Sequence, residues 1–215
     1  MPLRPAPLMV CETFASLQGE TTFAGLPCFF IRLAGCNLRC RYCDTAYAWE
    51  GGRPMLADEV VAASRASGLA AVTITGGEPL LQPGLPALAQ ALLDAGAAPL
   101  LIETNGSLDI SLIPPPAIAI MDLKCPASGQ ADAMDWTNVS RLRPHDEVKF
   151  VIQDRADYDW ARAVVARHDL AALCHAVLFS PAAPQLAAAE LGRWVLADRL
   201  PVRLQIQLHK LLGLA

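Results

Sequence analysis

Three cysteines stand close together in the stretch LAGCNLRCRYCDT, at Cys36, Cys40 and Cys43. Thiolates bind soft or borderline metals, and a structural zinc site normally closes around four ligands, often from two paired motifs. This chain has no second pair, and the nearest histidine in the sequence is His145. A cubane iron–sulfur cluster is the alternative, because three cysteines hold three irons and leave the fourth open to an external ligand. The extra residue between Cys36 and Cys40 suits a loop wrapped around one cluster, and zinc with a distant fourth ligand stays open as the other interpretation.

The composition limits the classes of partner that the protein is expected to bind. The formal net charge is −4 and Lys and Arg form no long run, so a nucleic-acid surface is not expected. No stretch reaches 18 uninterrupted apolar residues, the length that would predict a spanning helix. The N-terminal stretch MPLRPAPLMVCETF lacks the apolar segment of a secretory signal. We therefore expect a cytoplasmic protein with a small-molecule substrate and no membrane partner.

Four further cysteines bring the total to seven: Cys11, Cys28, Cys125 and Cys174. An odd count in a reducing compartment argues against a disulfide framework. Free cysteine is among the most buried residue types, so we expect these four to be small core residues rather than ligands.

Apolar runs typical of strands alternate along the chain with segments of helical pattern. The predicted strands are CFFIRL, AVTIT, PLLIET, AIAIMDL, EVKFVI, AVLFS and VRLQIQL, and the predicted helices are ADEVVAASRAS, LPALAQALLDAG, ADYDWARAVVARH and PQLAAAELGRWVLADR. This alternation predicts parallel β-α units with right-handed crossovers. With 215 residues and no linker, we expect one α/β domain over residues 1–215, either a doubly wound sheet or a partial (β/α) barrel.

Several residues with chemical potential directly follow predicted strands. Cys36 follows CFFIRL, residues 76–79 follow AVTIT, residues 104–107 end or follow PLLIET, and Lys124 follows AIAIMDL. Because the carboxyl ends of parallel strands meet at one edge, we expect these residues to share one rim.

Two of these segments resemble motifs of the radical S-adenosylmethionine (SAM) superfamily. The three cysteines form its CxxxCxxC signature, and TGGEP at residues 75–79 resembles its second motif. The resemblance implies a [4Fe–4S] cluster on Cys36, Cys40 and Cys43, with SAM bound to the open iron. One electron from the cluster then cleaves SAM, and the resulting 5′-deoxyadenosyl radical abstracts a hydrogen atom.

The same resemblance implies a set of residues that contact SAM. They are Tyr42, Cys43, Asp44, Gly77, Glu78, Asn105, Asp122 and Lys124. An aromatic ring suits adenine, paired glycines allow close backbone approach, and Glu78 suits the ammonium group. Taken alone, these residue types also fit simpler roles: a core tyrosine, a glycine turn, an asparagine cap and a surface lysine.

A longer set of segments narrows the resemblance to one family. LQGE, FIRLAGCN, CDT, TGGEP, IETNGS, DLKCP, EVKFVI and QLHK occur in this order over essentially the whole chain, which resembles the 7-carboxy-7-deazaguanine synthases. The likeness implies conversion of 6-carboxy-5,6,7,8-tetrahydropterin to 7-carboxy-7-deazaguanine with loss of ammonia, in queuosine or 7-deazapurine biosynthesis. It also implies a compact partial barrel of radical SAM type, a flavodoxin-like electron donor and a homodimer.

By this resemblance, the pterin contacts are Leu17, Gln18, Gly19, Glu20, Arg32, Thr75, His209 and the terminal carboxylate of Ala215. Amide and carboxylate groups match a pterin edge, and an arginine matches the substrate carboxylate. Thr45 is implied as a Mg²⁺ ligand, although a threonine there also suits a helix cap.

Two segments depart from the family pattern, and two other functions are considered. QGET stands where QGEG is usual, and HKLLGLA ends the chain where an aromatic residue and an asparagine are common. The alternatives are a radical activase that takes hydrogen from a partner protein and a noncatalytic iron–sulfur or zinc module. Activity on a polypeptide would favour the first, and zinc without iron would favour the second.

Overall fold

The computed structural model describes residues 7–214, and within this range nine strands form one sheet. The strands are β1 (Leu8–Leu17), β2 (Pro27–Leu33), β3 (Arg53–Met55), β4 (Ala71–Gly76), β5 (Leu100–Thr104), β6 (Ile118–Asp122), β7 (Glu147–Ile152), β8 (Ala176–Pro181) and β9 (Arg203–Leu204). Their order is β3-β1-β2-β4-β5-β6-β7-β8-β9. From β2 to β9 every neighbouring pair is parallel, whereas β1 is antiparallel to β2 and β3.

Helices cover one face of this sheet. They are α1 (Ala57–Ser67), α2 (Leu85–Asp94), α3 (Arg155–His168), α4 (Leu170–Leu173) and α5 (Ala188–Asp198). A sixth helix, α6 (Leu208–Leu212), follows β9 and buries no side chain in that layer. The four longer helices α1, α2, α3 and α5 correspond to the four predicted ones. Their buried side chains form one core with the apolar side of the strands.

The two faces of the parallel strands differ in chemistry because successive side chains point to opposite sides. On β7, Val148 and Phe150 are buried in the core that faces the helices, whereas Lys149 faces the inner side of the sheet. On β4, Ile74 belongs to the same core and Thr75 faces inward. The helices thus bury the apolar face of the sheet, and the polar inner face is available for ligand binding.

The sheet does not close on itself, since β3 and β9 are its two ends. An open, mainly parallel sheet with helices on one face agrees with the predicted partial (β/α) barrel. Among residues 7–214, no helix has the length and apolar character needed to cross a membrane.

Two local features differ from the sequence prediction. The stretch before the first predicted strand forms β1, whose mixture of apolar and polar residues lacks the clean alternation of a half-buried strand. The connections after β5 and β6, where no helix was predicted, are short 3₁₀ turns, and the prolines at 114–116 supply no N–H donors for a helix. Only Arg203–Leu204 of VRLQIQL pairs as a strand, because the glutamines that follow turn to contact the loop after β1.

The isolated cysteines are free thiols. Cys28, Cys125 and Cys174 are buried and Cys11 is half-buried. The expectation of a small core residue is thus confirmed for the first three.

Phe150 packs at the centre of the helix-facing core, and its removal tests this packing. The ring is fully buried, with centroids 5.5 Å from Phe179 and 6.2 Å from Trp160. We predict that Phe150→Ala lowers the free energy of unfolding of the iron-free protein by ~3–5 kcal/mol, measured by urea denaturation. Leu196→Ala is the control, because Leu196 is 77% exposed and its loss should cost less than about 0.5 kcal/mol. Equal effects of the two substitutions would contradict this account of the core.

Candidate active site

One pocket opens on the inner face at the carboxyl ends of the parallel strands. The predicted site residues in its wall are Leu17, Gln18, Gly19, Glu20, Arg32, Cys36, Cys40, Tyr42, Cys43, Asp44, Thr45, Thr75, Gly77, Asn105, Asp122, Lys124 and His209. Glu78 lies behind this wall, and Ala215 lies outside the described residues. The fold thus gathers the cysteine loop, the TGGEP segment and the LQGE loop around one cavity.

The three clustered cysteines are half-buried free thiols on the loop after β2. The Leu38 N–H donates to Cys36 Sγ at 3.4 Å, an orientation that also suits a thiolate. Burial raises the pKa of the Cys36 and Cys40 thiols, and nearby Cys43 raises it further. Among residues 7–214, no three His, Cys, Asp or Glu side chains converge as ligands of a single metal ion. The donor set fits an iron–sulfur cluster, in which each thiolate binds a different iron.

Two glycines lock the TGGEP segment against the cysteine loop. The Gly77 N–H donates to the Leu33 carbonyl at 3.1 Å, and the Glu78 N–H donates to the Gly35 carbonyl at 2.7 Å. A Cβ on Gly76 would lie 2.0 Å from the Leu33 oxygen, and one on Gly77 would lie 2.2 Å from the Gly35 oxygen. Real Cβ atoms do not approach backbone this closely, so only glycine permits the contact. The glycines thereby fix the position of the first cluster cysteine.

Glu78 is fully buried, and its carboxylate binds protein groups. It accepts hydrogen bonds from the Leu80 N–H at 2.9 Å, the Thr104 hydroxyl at 2.9 Å and the Asn105 N–H at 2.6 Å. Burial is the largest influence and raises the pKa of Glu78, although these donors oppose the shift. In this arrangement Glu78 positions Asn105, and its predicted contact with the SAM ammonium group stays a prediction.

Tyr42 is held by a strand outside the cysteine loop, and Asn105 is held by a residue within that loop. The Tyr42 hydroxyl donates to the Val151 carbonyl at 3.1 Å, which anchors the ring across the pocket to β7. The Asn105 amide donates to Asn37 Oδ1 at 3.1 Å, and its nitrogen lies 4.0 Å from Cys36 Sγ. Both side chains therefore face the space beside the cysteines with fixed orientation.

Asp122 and Lys124 form an ion pair at the end of β6, with Nζ 2.9 Å from Asp122 Oδ2. Burial opposes the charge of Lys124, but Asp122 and Cys40 together outweigh it and raise the pKa of the lysine. Among the described residues no donor reaches the buried Asp122 Oδ1 atom. Buried acceptors are normally satisfied, so this oxygen is suited to a ligand donor such as a ribose hydroxyl or an ammonium group.

The LQGE loop after β1 carries an amide that shapes the loop itself. Gln18 is 2% exposed, donates to Thr73 Oγ1 at 3.0 Å and accepts from the Glu20 N–H at 3.0 Å. The Cys28 thiol lies 3.2 Å from the same threonine oxygen. Gln18 thus fixes the turn that presents the Glu20 carboxylate to the pocket.

Glu20 is held by donors from three directions. It binds Lys149 Nζ at 2.8 Å, the Gln205 amide at 3.1 Å and the Gln207 amide at 2.8 Å. Burial opposes ionisation, but the charge and hydrogen bond of Lys149 outweigh it and hold the pKa of Glu20 well below its usual range. The carboxylate is therefore an anion at neutral pH.

The unusual QGET sequence has a visible backbone consequence. Thr21 adopts φ +66°, in the left-handed region that glycine enters without strain. Its N–H donates to Gln205 Oε1 at 2.8 Å, and the next residue, Thr22, donates to both carboxylate oxygens of Glu147. These bonds hold the threonine in a conformation that is rare for a β-branched residue.

Arg32 and Thr75 line the wall beside this loop. Arg32 Nε binds Glu12 Oε1 at 2.7 Å, and the guanidinium lies 5.7 Å from the Phe14 ring centroid. The Thr75 hydroxyl donates to Glu103 Oε2 at 3.0 Å. Burial raises the pKa of Glu103, and the Lys149 charge opposes that shift.

The C-terminal segment closes the pocket from above the LQGE loop. The Leu208 N–H donates to the Gly19 carbonyl at 2.9 Å, and the His209 ring packs against Gly19. Burial lowers the pKa of His209, so its imidazole is mainly neutral at neutral pH.

The same segment also reaches the cysteine loop. Lys210 Nζ binds Asp44 Oδ2 at 2.6 Å, and the Thr45 hydroxyl donates to Asp44 Oδ1 at 3.0 Å. Burial opposes ionisation of Asp44, but Lys210 outweighs it and holds the pKa at about 2. Asp44 and Thr45 therefore offer oxygen atoms at the rim.

Sequence reasoning missed several residues of the wall: Glu103, Lys149, Ser180, Gln207 and Lys210. Charged residues inside PLLIET and EVKFVI were the available signal, because a buried strand of a parallel sheet is otherwise apolar.

Comparisons with known proteins agree with this geometry. The model of the Radical SAM superfamily matches residues 30–164. A 7-carboxy-7-deazaguanine synthase from Koribacter versatilis is 42% identical, over 94% of this chain and 96% of the relative. One from Chlorobaculum tepidum is 44% identical, over 95% of this chain and 94% of the relative. The crystal structure of QueE from Escherichia coli shares the fold, with TM-score 0.75, 24% identity and coverage of 94% of this chain and 95% of that one.

The chain therefore belongs to the radical SAM superfamily and, within it, to the family of the 7-carboxy-7-deazaguanine synthases. It is a radical SAM enzyme whose cofactors are a [4Fe–4S] cluster and SAM, as the motifs implied.

Gly19 provides a test of the contact between the LQGE loop and the tail. A Cβ at this position would lie 1.9 Å from His209 Nδ1, so Gly19→Ala must push the ring away. Because burial lowers the pKa of His209, displacement should raise it toward the ordinary value, as measured by NMR titration of the imidazole signals. Gly192→Ala is the control, since its Cβ meets only the flexible end of Leu204, at 3.3 Å. An unchanged pKa of His209 in Gly19→Ala would contradict this packing.

Proposed function

We propose that this protein converts 6-carboxy-5,6,7,8-tetrahydropterin to 7-carboxy-7-deazaguanine, as a carbon–nitrogen lyase of queuosine or 7-deazapurine biosynthesis. Substrate and product differ by one ammonia, so the conversion requires no net oxidant or reductant and SAM is regenerated. The proposal treats residues 1–215 as one radical SAM domain that works in the cytoplasm.

One observation carries the proposal: the three cysteines and the Glu20 carboxylate line the same pocket. The cysteines supply a place for the cluster, and the anionic loop supplies acceptors for the amine and amide donors of a pterin edge. The names of relatives that are 42% and 44% identical over most of the chain give independent support.

The residues on the cofactor side hold and orient the reactive group. When bound, the cluster and SAM supply a 5′-deoxyadenosyl radical that takes a hydrogen atom from the substrate. Tyr42, Gly77 and Asn105 form the wall beside the cysteines, where adenosine and methionine groups fit. Asp122 offers its unpartnered oxygen, and Lys124 holds that carboxylate in place.

The residues on the substrate side bind a flat, polar, carboxylated ring. Glu20 accepts from the ring donors, the backbone of residues 17–19 supplies further donors and acceptors, and Arg32 attracts the carboxylate. Thr75 and neutral His209 complete the wall. The terminal carboxylate of Ala215 belongs to the same proposed set.

Three further partners belong to the proposal. Thr45, supported by Asp44, would bind Mg²⁺ together with substrate oxygens and water, because Mg²⁺ prefers hard oxygen ligands. A flavodoxin-like protein would supply the electron. Exposed apolar side chains near the C-terminus support a homodimer, namely Leu204, Ile206, Leu211 and Leu212.

The test is a reconstituted turnover assay. We expect the anaerobically reconstituted protein, with reductant, SAM, Mg²⁺ and the pterin, to form 7-carboxy-7-deazaguanine detectable by mass spectrometry. Cys36→Ala should lose both the cluster absorbance and the product, because Cys36 is one of the three proposed cluster ligands in the pocket wall. Cys11→Ala is the matched control, since Cys11 is a thiol outside the trio and should keep both.

Two outcomes would contradict the proposal. A fully loaded cluster that cleaves SAM but leaves the pterin unchanged would remove the proposed substrate. Zinc without iron and sulfide after reconstitution would remove the radical mechanism.

A further inference from the structure

The chain contains three lysines among its 215 residues, and all three line the pocket: Lys124, Lys149 and Lys210. Lys124 pairs with Asp122 at the cofactor side, and Lys210 ties the tail to Asp44. Lys149 contacts neither the cysteine loop nor the tail by an ion pair, and the proposed function gives it no role. Its position between the two sides of the pocket indicates one.

Lys149 lies on the inner face of β7, where its side chain is 10% exposed. Its Nζ is 2.8 Å from Glu20 Oε2 and 3.6 Å from Asp122 Oδ2. Asp122 Oδ2 also binds Lys124 Nζ at 2.9 Å. A continuous chain of charges thus runs from the substrate-side carboxylate through Lys149 to the pair at the cofactor side.

Removal of the Lys149 charge would leave several buried carboxylates near one another. The charged or titratable groups around Lys149 and Glu20 are Arg32, Asp44, Glu103, Asp122, Lys124, His209 and Lys210. Burial opposes the charge of Lys149, yet Glu20, Asp122 and Glu103 outweigh it and hold its pKa well above the usual range. An unpaired buried carboxylate is costly and takes up a proton instead.

We propose that Lys149 is a positioning residue that bridges Glu20 and Asp122, and so keeps the pterin subsite aligned with the SAM subsite. This inference rests on the proposed function. Lys149 acts through Glu20: its ammonium keeps that carboxylate anionic and aimed into the pocket. Loss of Lys149 should therefore impair pterin binding, while SAM cleavage in the absence of pterin persists.

The test compares Lys149→Met, Glu20→Gln and the double variant, each with the cluster reconstituted and iron quantified. We expect Lys149→Met to lower kcat/KM for the pterin by roughly 100-fold or more, mostly through KM. The ratio of variant to wild-type kcat/KM should rise with pH, because the pKa of Glu20 is no longer held low. The double variant should be no worse than Glu20→Gln alone, and Lys149→Arg should restore a pH-independent ratio.

Additive losses in the double variant, or a loss in Lys149→Met that does not change with pH, would overturn the proposal. Equal loss of SAM cleavage and product would also overturn it, since that result indicates general disruption of the site. If the wild-type enzyme makes no product from the pterin, the proposed function has failed instead.

A measurement on the protein with oxidised cluster covers the case in which Lys149→Met does not fold. Labelling with lysine carrying ¹³C at Cε should give three NMR signals, one for each lysine. We expect Glu20→Gln to move the Lys149 signal and lower the pKa of its ammonium, while Lys210 retains its Asp44 partner and changes less. If the chemical shift and pKa of the Lys149 signal are the same in Glu20→Gln as in the wild type, Lys149 does not pair with Glu20 and the proposal fails. This result does not depend on turnover.

Discussion

The structure depends on how charge is neutralised inside a half-open barrel. The pocket on the inner face of the sheet is lined by Glu20 from the loop after β1 and by Glu103 and Asp122 from β5 and β6, and such carboxylates are stable only beside cations or strong donors. Lys149 and Lys124 supply the cations from β7 and from the end of β6. Because these charges pair with one another, the pocket stays polar without losing its fixed geometry.

Backbone contacts place the cluster loop next to this charged face. The glycines at 76 and 77 let the TGGEP segment hydrogen-bond directly to the backbone around Leu33 and Gly35. Glu78 then uses its buried carboxylate to orient Asn105. The second motif therefore works here as a support for the first cysteine as well as a wall of the pocket, and one glycine pair serves both purposes.

The repeated parallel strands and the cysteine motif were readable from the sequence because both depend on local spacing. The lysine in EVKFVI was visible as a charge in an otherwise apolar strand, but its ion pair was not readable, since its partner Glu20 lies 129 residues away. VRLQIQL has the alternation of a strand, yet only Arg203–Leu204 pairs as a strand, and the side chains of its glutamines bind Glu20 and Thr21. Elements set by hydrophobic periodicity could therefore be predicted from the sequence. Features set by ion pairs and hydrogen bonds between distant residues could not.

If one pocket holds the radical source and the pterin side by side, hydrogen must pass directly between SAM and the substrate. The most direct test follows deuterium from a pterin labelled on its tetrahydro ring carbons during turnover by the reconstituted enzyme. We expect deuterium to appear in SAM and in any 5′-deoxyadenosine released, because the hydrogen moves directly between neighbouring groups. Product formation with no deuterium in either molecule would show that the two groups do not share one pocket in this way.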